Sequence, residues 1–307
     1  MNTRDNPPDA DPSALQPLLV PGLDAMTDWR LALERDLEAL TRFLSADDLL
    51  SPAALQTAQS LRQRLANDKL VVAFVAEFSR GKSELINAIF FADAGQRVLP
   101  ATPGRTTMCP VELSWDEQEL PTLDLLPIDS RREQHTLAEW RTQRERWHRI
   151  QLDPRDLAAL SQALVEVTAT RLVSTDEARS LGLWSDEPGA DNPPQAADGR
   201  VEVPAWRHAI INFPHPLLQR GLVVVDTPGL NAIGAEPELT LGLLPSAHAA
   251  LFVLGADTGV TRSDLDIWTQ HLGGQGMTCF VVLNKVDTLE DPLASAADRE
   301  QIGRAHV

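Results

Sequence analysis

Cysteine is nearly absent: Cys109 and Cys279 are the two in 307 residues, and no CxxC spacing occurs. That rules out a disulfide framework and leaves no thiol set for a structural zinc site, so a reducing compartment fits and both cysteines read as small core hydrophobes. Positive charge is scarce as well, with 27 Lys and Arg against 44 Asp and Glu for a formal net charge of -17. Broad binding to nucleic acid depends on basic side chains that neutralise phosphates and release counterions, so no nucleic-acid partner is expected, a local basic patch remaining open. Long apolar runs are missing too. Stretches such as VVAF, Val71–Phe74, end within one strand's length, short of the roughly 20 residues that cross a bilayer. There is no internal repeat or heptad run, and the N-terminus carries prolines and acidic residues where a signal peptide has a basic region and an apolar core. What remains is a cytoplasmic protein with a disordered leader over residues 1–27 and enough chain for one sizeable core or two modest ones.

The apolar residues that are present fall into two rhythms. Leu33, Leu37, Leu40 and Leu44 recur at spacings of three and four within Asp28–Leu44, one stripe of a helix, and Leu55, Ala58, Leu61 and Leu65 do the same in a second helix over about Pro52–Asn67. Both stripes need a partner. From Leu70 onward, short apolar strands alternate with helices: LVVAFVA, SELINAIFF, VELSW, LDLLP, LVVVD, ALFVLGA, SDLDIWTQHL and CFVVLNK. This predicts an α/β domain with a mostly parallel sheet. Between Ile128 and His208 the rhythm breaks, and a helical insertion over about 129–208 is expected, with a mobile loop near Asp186–Gly199.

Three motifs sit at strand ends. AEFSRGKS, Ala76–Ser83, follows a strand and opens a helix, the setting in which backbone N–H groups and a helix N-terminus wrap a polyphosphate. The wrapping residues are Ala76, Glu77, Phe78, Ser79, Arg80, Gly81, Lys82 and Ser83. Lys82 is placed to contact β- and γ-phosphates and the Ser83 hydroxyl to ligate Mg²⁺. Ala76 replaces the usual first glycine, and if that position is left-handed its methyl strains the loop, so that Ala76→Gly would tighten binding. LVVVDTPGL, Leu222–Leu230, runs a strand into DTPG. There Asp226 would hold Mg²⁺ through water and the Gly229 N–H would meet the γ-phosphate. NKVD, Asn284–Asp287, ends a third strand: Asp287 accepts from guanine's N1–H and exocyclic amine, Asn284 supports loop and base, and the Lys285 stem covers the base plane. Each motif alone has an ordinary alternative: a chance GKS at a helix start, a β-turn at DTPG, a solvated strand end at NKVD. All three in order make coincidence a poor explanation and predict a P-loop GTPase domain binding GTP or GDP.

Together these elements resemble the dynamin superfamily, and bacterial dynamin-like proteins above all, whose phosphate loop often reads like EFSRGKS at Glu77–Ser83; the similarity covers about Leu70–Asp287. LPATPGRTTMCPVEL, Leu99–Leu113, looks like the family's first switch, with Thr107 three residues before Pro110 as the threonine that closes over Mg²⁺ and γ-phosphate, and Thr106 the adjacent alternative. The resemblance implies that Ser79 helps hold a charge-compensating monovalent cation. Phe78 stands where classical dynamins have a catalytic glutamine, so that contribution does not carry over. Arg80 could supply charge to the transition state as an arginine finger, in cis or in trans, or could be a solvent-facing loop arginine. The family also implies a homodimer through this domain, a membrane lipid partner for the full-length protein, and a peripheral place at the inner face of the cell membrane.

On this reading residues 28–69 are the first helices of a helical bundle and 70–301 a GTPase domain incomplete at its C-terminus. The final IGRAHV, residues 302–307, matches a frame of a common sequencing adapter and is expected to be an artefact. Two other functions stay open: a regulatory GTPase that orders its switch loops onto a protein partner without membranes, and a nucleotide-binding fragment without hydrolysis.

Overall fold

Leu70–Val75 (β1) is apolar throughout because both its faces are covered: Val72 and Phe74 pack into one core and Val71, Ala73 and Val75 into another. The computed structural model in which this is seen describes residues 16–46, 54–55, 57–58, 61–62, 65, 69–77, 79–92, 98–100, 109–133, 135–187, 192–227, 244, 247–273 and 277–289. The other strands, in chain order, are β2 (Val111–Ser114), β3 (Thr122–Pro127), β4 (His148–Gln151), β5 (Thr170–Val173), β6 (Val201–Pro204), β7 (Trp206–Asn212), β8 (Leu222–Asp226), β9 (Ala249–Gly255) and β10 (Thr278–Asn284). Eight of them form one sheet in the order β10-β9-β1-β8-β2-β7-β3-β4. From β10 to β8 every pairing is parallel; β2 then runs antiparallel to β8 and parallel to β7, and β3 and β4 add antiparallel pairings at the far edge. The expected mostly parallel α/β sheet is present.

Parallel pairing puts the C-terminal ends of β1, β8, β9 and β10 along one edge, where an open α/β sheet builds its ligand crevice. Asp226 pairs with Phe74 and Asn284 with Gly255, so the motif residues are brought level by register.

Helix α1 spans Gln16–Ala46 and begins within the stretch expected to be a disordered leader. The correction has a physical cause: Val20, Leu23 and Met26 share one face and pack on the main core, and Arg220 pairs with Asp24 at 2.7 Å. This burial outweighs the proline and acidic composition that suggested disorder, and it does so although Pro21, inside the helix, removes one backbone donor. Residues 1–15 lie outside the described ones. Further along α1, Leu33 and Leu40 are exposed. Residues 54–55, 57–58, 61–62 and 65 are helical, and Arg62 reaches Glu38 at 3.6 Å.

The insertion carries helices α3 (Leu137–Thr142), α4 (Leu157–Val165) and α5 (Thr175–Ser180), and it also carries strands that the sequence did not separate from them. β4 extends the main sheet, and β5 and β6 form a two-stranded sheet over a small core of Ile128, Val173, Leu181, Leu183, Val201 and Val203. β7, which straddles the expected C-terminal boundary at His208, is a central strand, and the short helix α6 (Pro216–Gln219) leads from it to β8. Of the loop expected at Asp186–Gly199, residues 188–191 lie outside the described ones, and Gln195 bridges back to Val201.

Candidate functional site

Helix α2 (Lys82–Phe90) follows β1 after a tight loop, and Gly81 at its N-cap has φ 83°. A Cβ added there would lie 2.4 Å from the Asn284 amide nitrogen, so both the conformation and the space demand glycine. Among the described residues, two non-glycine residues have positive φ, Ser79 (62°) and Lys285 (59°), one in the phosphate-loop motif and one in NKVD. Such conformations cost about 1–3 kcal/mol each and tend to be kept where a site requires them. Ala76 is fully buried and is not in the left-handed region, so the strain that would have made Ala76→Gly favourable does not exist.

Lys82 and Ser83, the first two residues of α2, meet the end of β8. The Lys82 ammonium donates to one Asp226 carboxylate oxygen and to the Thr227 carbonyl, and Ser83 Oγ donates to the other Asp226 oxygen at 3.2 Å. Lys82, Asp226 and Thr227 are buried. Thr227, not singled out from the sequence, fastens this end of β8 to β1 by donating its hydroxyl to the Phe74 carbonyl at 2.7 Å.

The third motif touches the first. Asn284 Nδ2 donates to the carbonyls of Arg80 at 3.0 Å and Gly81 at 3.4 Å. Lys285 pairs with Asp257 at 2.8 Å, and its ammonium holds the Asp257 carboxyl below the usual carboxylate range. Asp287 lies in a 3₁₀ turn (Val286–Leu289), exposed and unpaired among the described residues, a carboxylate with all its acceptor capacity open.

Arg80 departs from both of its expected placements. It is buried, with its guanidinium donating to Glu77, Thr258, Thr261 (3.3 Å) and Asp264 (2.8 Å). A guanidinium held by two carboxylates and two hydroxyls is neither solvent-facing nor free to reach out as a finger. Asp264 caps α7 (Arg262–Ile267) in a reciprocal box with Thr261. Neither Asp264 nor Thr261 carries a local signal, because the partnership with Arg80 spans more than 180 residues of sequence. Ser79 is exposed at the loop's rim, and Glu77 accepts from Thr261 Oγ1 at 3.0 Å. Phe78, Thr106, Thr107 and Gly229 lie outside the described residues. The start of the first-switch segment is described: the buried Asn87 amide in α2 accepts from Leu99 N at 2.7 Å and donates to Leu99 O at 2.9 Å.

The oxygens of Ser83 and Asp226 make a sparse hard-donor set. It suits a Mg²⁺ ion, which is held by one or two protein oxygens and completes its shell with phosphate and water. No cluster of three or more His, Cys, Asp or Glu side chains able to hold a metal occurs among the described residues.

Comparison with known proteins shows what the chain is similar to. The chain is 35% identical over 95 residues to the bacterial dynamin-like protein of Nostoc punctiforme, covering 31% of this chain and 14% of that one. It is 44% identical over 60 residues to the isoniazid-induced protein IniA of Mycobacterium tuberculosis, covering 19% and 9%, and 38% identical over 79 residues to the GTPase Der of Shewanella, covering 24% and 16%. The chain thus spans less than a fifth of the length of these curated relatives. A solved structure of an oligomerised bacterial dynamin pair, described as a mechanism for long-range sensing and tethering of membranes, aligns over 91% of this chain and 35% of its own at a TM-score of 0.49 and 15% identity. The family model for the dynamin family matches residues 72–286, which is most of the chain; the match begins within β1 and contains β8, β9, β10 and the first three residues of the third motif. The chain therefore belongs to the dynamin family, and the matched residues are its GTPase domain.

Proposed function

We propose that this domain binds GTP with Mg²⁺ and hydrolyses it to GDP and phosphate. The observation that carries the proposal is the junction of motifs: Asn284 on the phosphate-loop carbonyls, and Lys82 and Ser83 on Asp226. One ligand reaching from Asp287 to Lys82 would touch all three motifs, and a guanine nucleotide has the base and polyphosphate to do so. On binding, Lys82 exchanges its carboxylate partner for β- and γ-phosphate oxygens, and loop N–H groups at the start of α2 take the remaining charge. Ser83 and Asp226, with Thr107 as the switch ligand, would hold Mg²⁺, which would supply positive charge against the phosphates. Gly229 serves the γ-phosphate from the second motif, and Ser79, by family resemblance, helps hold a monovalent cation.

Family membership supports the wider reading: a G domain that dimerises, within a longer bacterial dynamin-like protein acting peripherally at the inner face of the cell membrane. No described helix is long and apolar enough to cross a membrane. Phosphate release from GTP in the presence of Mg²⁺ is the test. The wild-type chain should turn over GTP, faster per molecule as protein concentration rises, and Lys82→Ala should lower affinity roughly 10- to 100-fold, the value of a lost hydrogen bond to charge. Nucleotide bound without phosphate release would leave a binding module, and unchanged Lys82→Ala kinetics would remove the phosphate-loop assignment.

A further inference from the structure

The phosphate loop is held from two sides. On one, Asn284 grips the carbonyls of Arg80 and Gly81; on the other, the Arg80 side chain runs to the connection between β9 and α7. Arg80 sits between Ser79 and Gly81, both with positive φ, so the most contorted part of the loop is anchored through this one side chain. Two carboxylates meet at the anchor. Glu77 and Asp264 each accept from the same Arg80 nitrogen and lie within reach of the single Thr261 hydroxyl proton, and Asp264 is buried with one of its oxygens lacking a hydrogen-bond partner. The nearby Gly255 backbone lies close against the Arg80 stem, where an added Cβ would be 3.4 Å from Cδ. No other cation donates to Asp264 among the described residues.

We propose that Arg80 is a positioning residue for nucleotide binding: it fastens the outer side of the phosphate loop to the first turn of α7 and offsets part of the negative charge of Glu77 and Asp264. This rests on the GTP-binding reading above. Without the guanidinium, two carboxylates stand together behind a loop that must receive an anionic polyphosphate, and one of them is buried unpaired. Both effects act on binding, through loop shape and through repulsion. The role differs from that of a finger, which touches the reacting phosphate and acts on the rate.

The test is a double-mutant cycle read by GTP affinity and by kcat at saturating GTP. Arg80→Ala should weaken GTP binding about 10- to 100-fold, with a smaller change in kcat. Asp264→Asn keeps the cap, since an amide oxygen still accepts from Thr261 N, and removes one charge. In the Arg80→Ala background it should recover about tenfold in affinity, a coupling of the size contacting charged residues show. Arg80→Lys should fall between wild type and alanine, because one ammonium cannot serve Thr258 and Asp264 as the fork does. If Arg80→Ala does not melt cooperatively, Arg80→Lys with and without Asp264→Asn is read in the same way. Wild-type affinity in the Arg80 variants, no recovery with Asp264→Asn, or a loss confined to kcat would each overturn the proposal. A wild-type chain that binds no guanine nucleotide overturns the functional assignment and this inference with it.

Discussion

Gly81 is fixed twice over, by a φ of 83° and by the Asn284 amide that a Cβ would strike. Gly81→Ala should therefore cost more than the roughly 1–2 kcal/mol of a left-handed non-glycine residue, and it should weaken GTP binding as well, because Asn284 would be pushed off the loop. Equal melting and equal affinity in the variant would contradict this. Ala76 behaves in the opposite way: with no positive φ to relieve, Ala76→Gly should leave affinity unchanged and destabilise the strand end slightly. A second residue-scale expectation concerns His208, wholly buried on β7 between Glu112, Arg141, Arg207 and the Trp147 ring. Burial lowers its pKa to about 4, the Glu112 carboxylate opposing the shift and Arg141 and Arg207 adding to it. The folded state thus binds a proton later than the unfolded one. Stability present above the unfolded value near 6.5 is lost as pH falls from there toward 4, by up to about 3 kcal/mol. His208→Met, of similar volume and without titration, should flatten that part of the stability curve, and parallel curves for the two proteins would refute the assignment.

At the scale of elements, what could be read from the sequence follows from how local each signal is. β1, β8, β9 and β10 were legible because each is a short apolar run, and three of them end in motifs, AEFSRGKS, DTPG and NKVD, whose order along the chain carries the signal that none carries alone. β7 was not, since WRHAIIN carries Arg207 and His208 within a strand whose environment is supplied by β2 and β3, far away in sequence. The same holds for Arg80: its loop was recognisable, but the Asp264 and Thr261 that hold it are brought close only by the sheet. α1 was misjudged at its start because Val20, Leu23 and Met26 show an apolar face only once the core they meet is known. Leu23→Ala should consequently cost about 2–5 kcal/mol, as for a core leucine, where a disordered leader would give no change in melting. Asn87 links α2 to the segment beginning at Val98. Asn87→Ala would leave the buried Leu99 backbone groups unsatisfied at about 1–3 kcal/mol, and faster hydrogen exchange at Leu99 is the observable.

At the scale of the whole molecule, apolar side chains among the described residues face solvent on α1 at Trp29, Leu40 and Phe43, and on β10, at the edge of the described sheet, at Phe280 and Val281. An edge strand with unpaired backbone groups invites strand pairing, so the chain should self-associate as concentration rises, and Val281→Lys should reduce it in light scattering. The sheet meanwhile lines up the ends of β1, β8, β9 and β10, so that the three sequence motifs share one edge. Whether the base is guanine depends on Asp287, the exposed carboxylate at the far end of that line. Titration of fluorescent GTP and ATP analogues into the wild type and Asp287→Ala is the most direct measurement. GTP should bind at least about 100-fold more tightly than ATP, and Asp287→Ala should erase the difference, since an acceptor carboxylate facing adenine finds no matching donors. Equal affinity of the wild type for the two nucleotides would contradict the account.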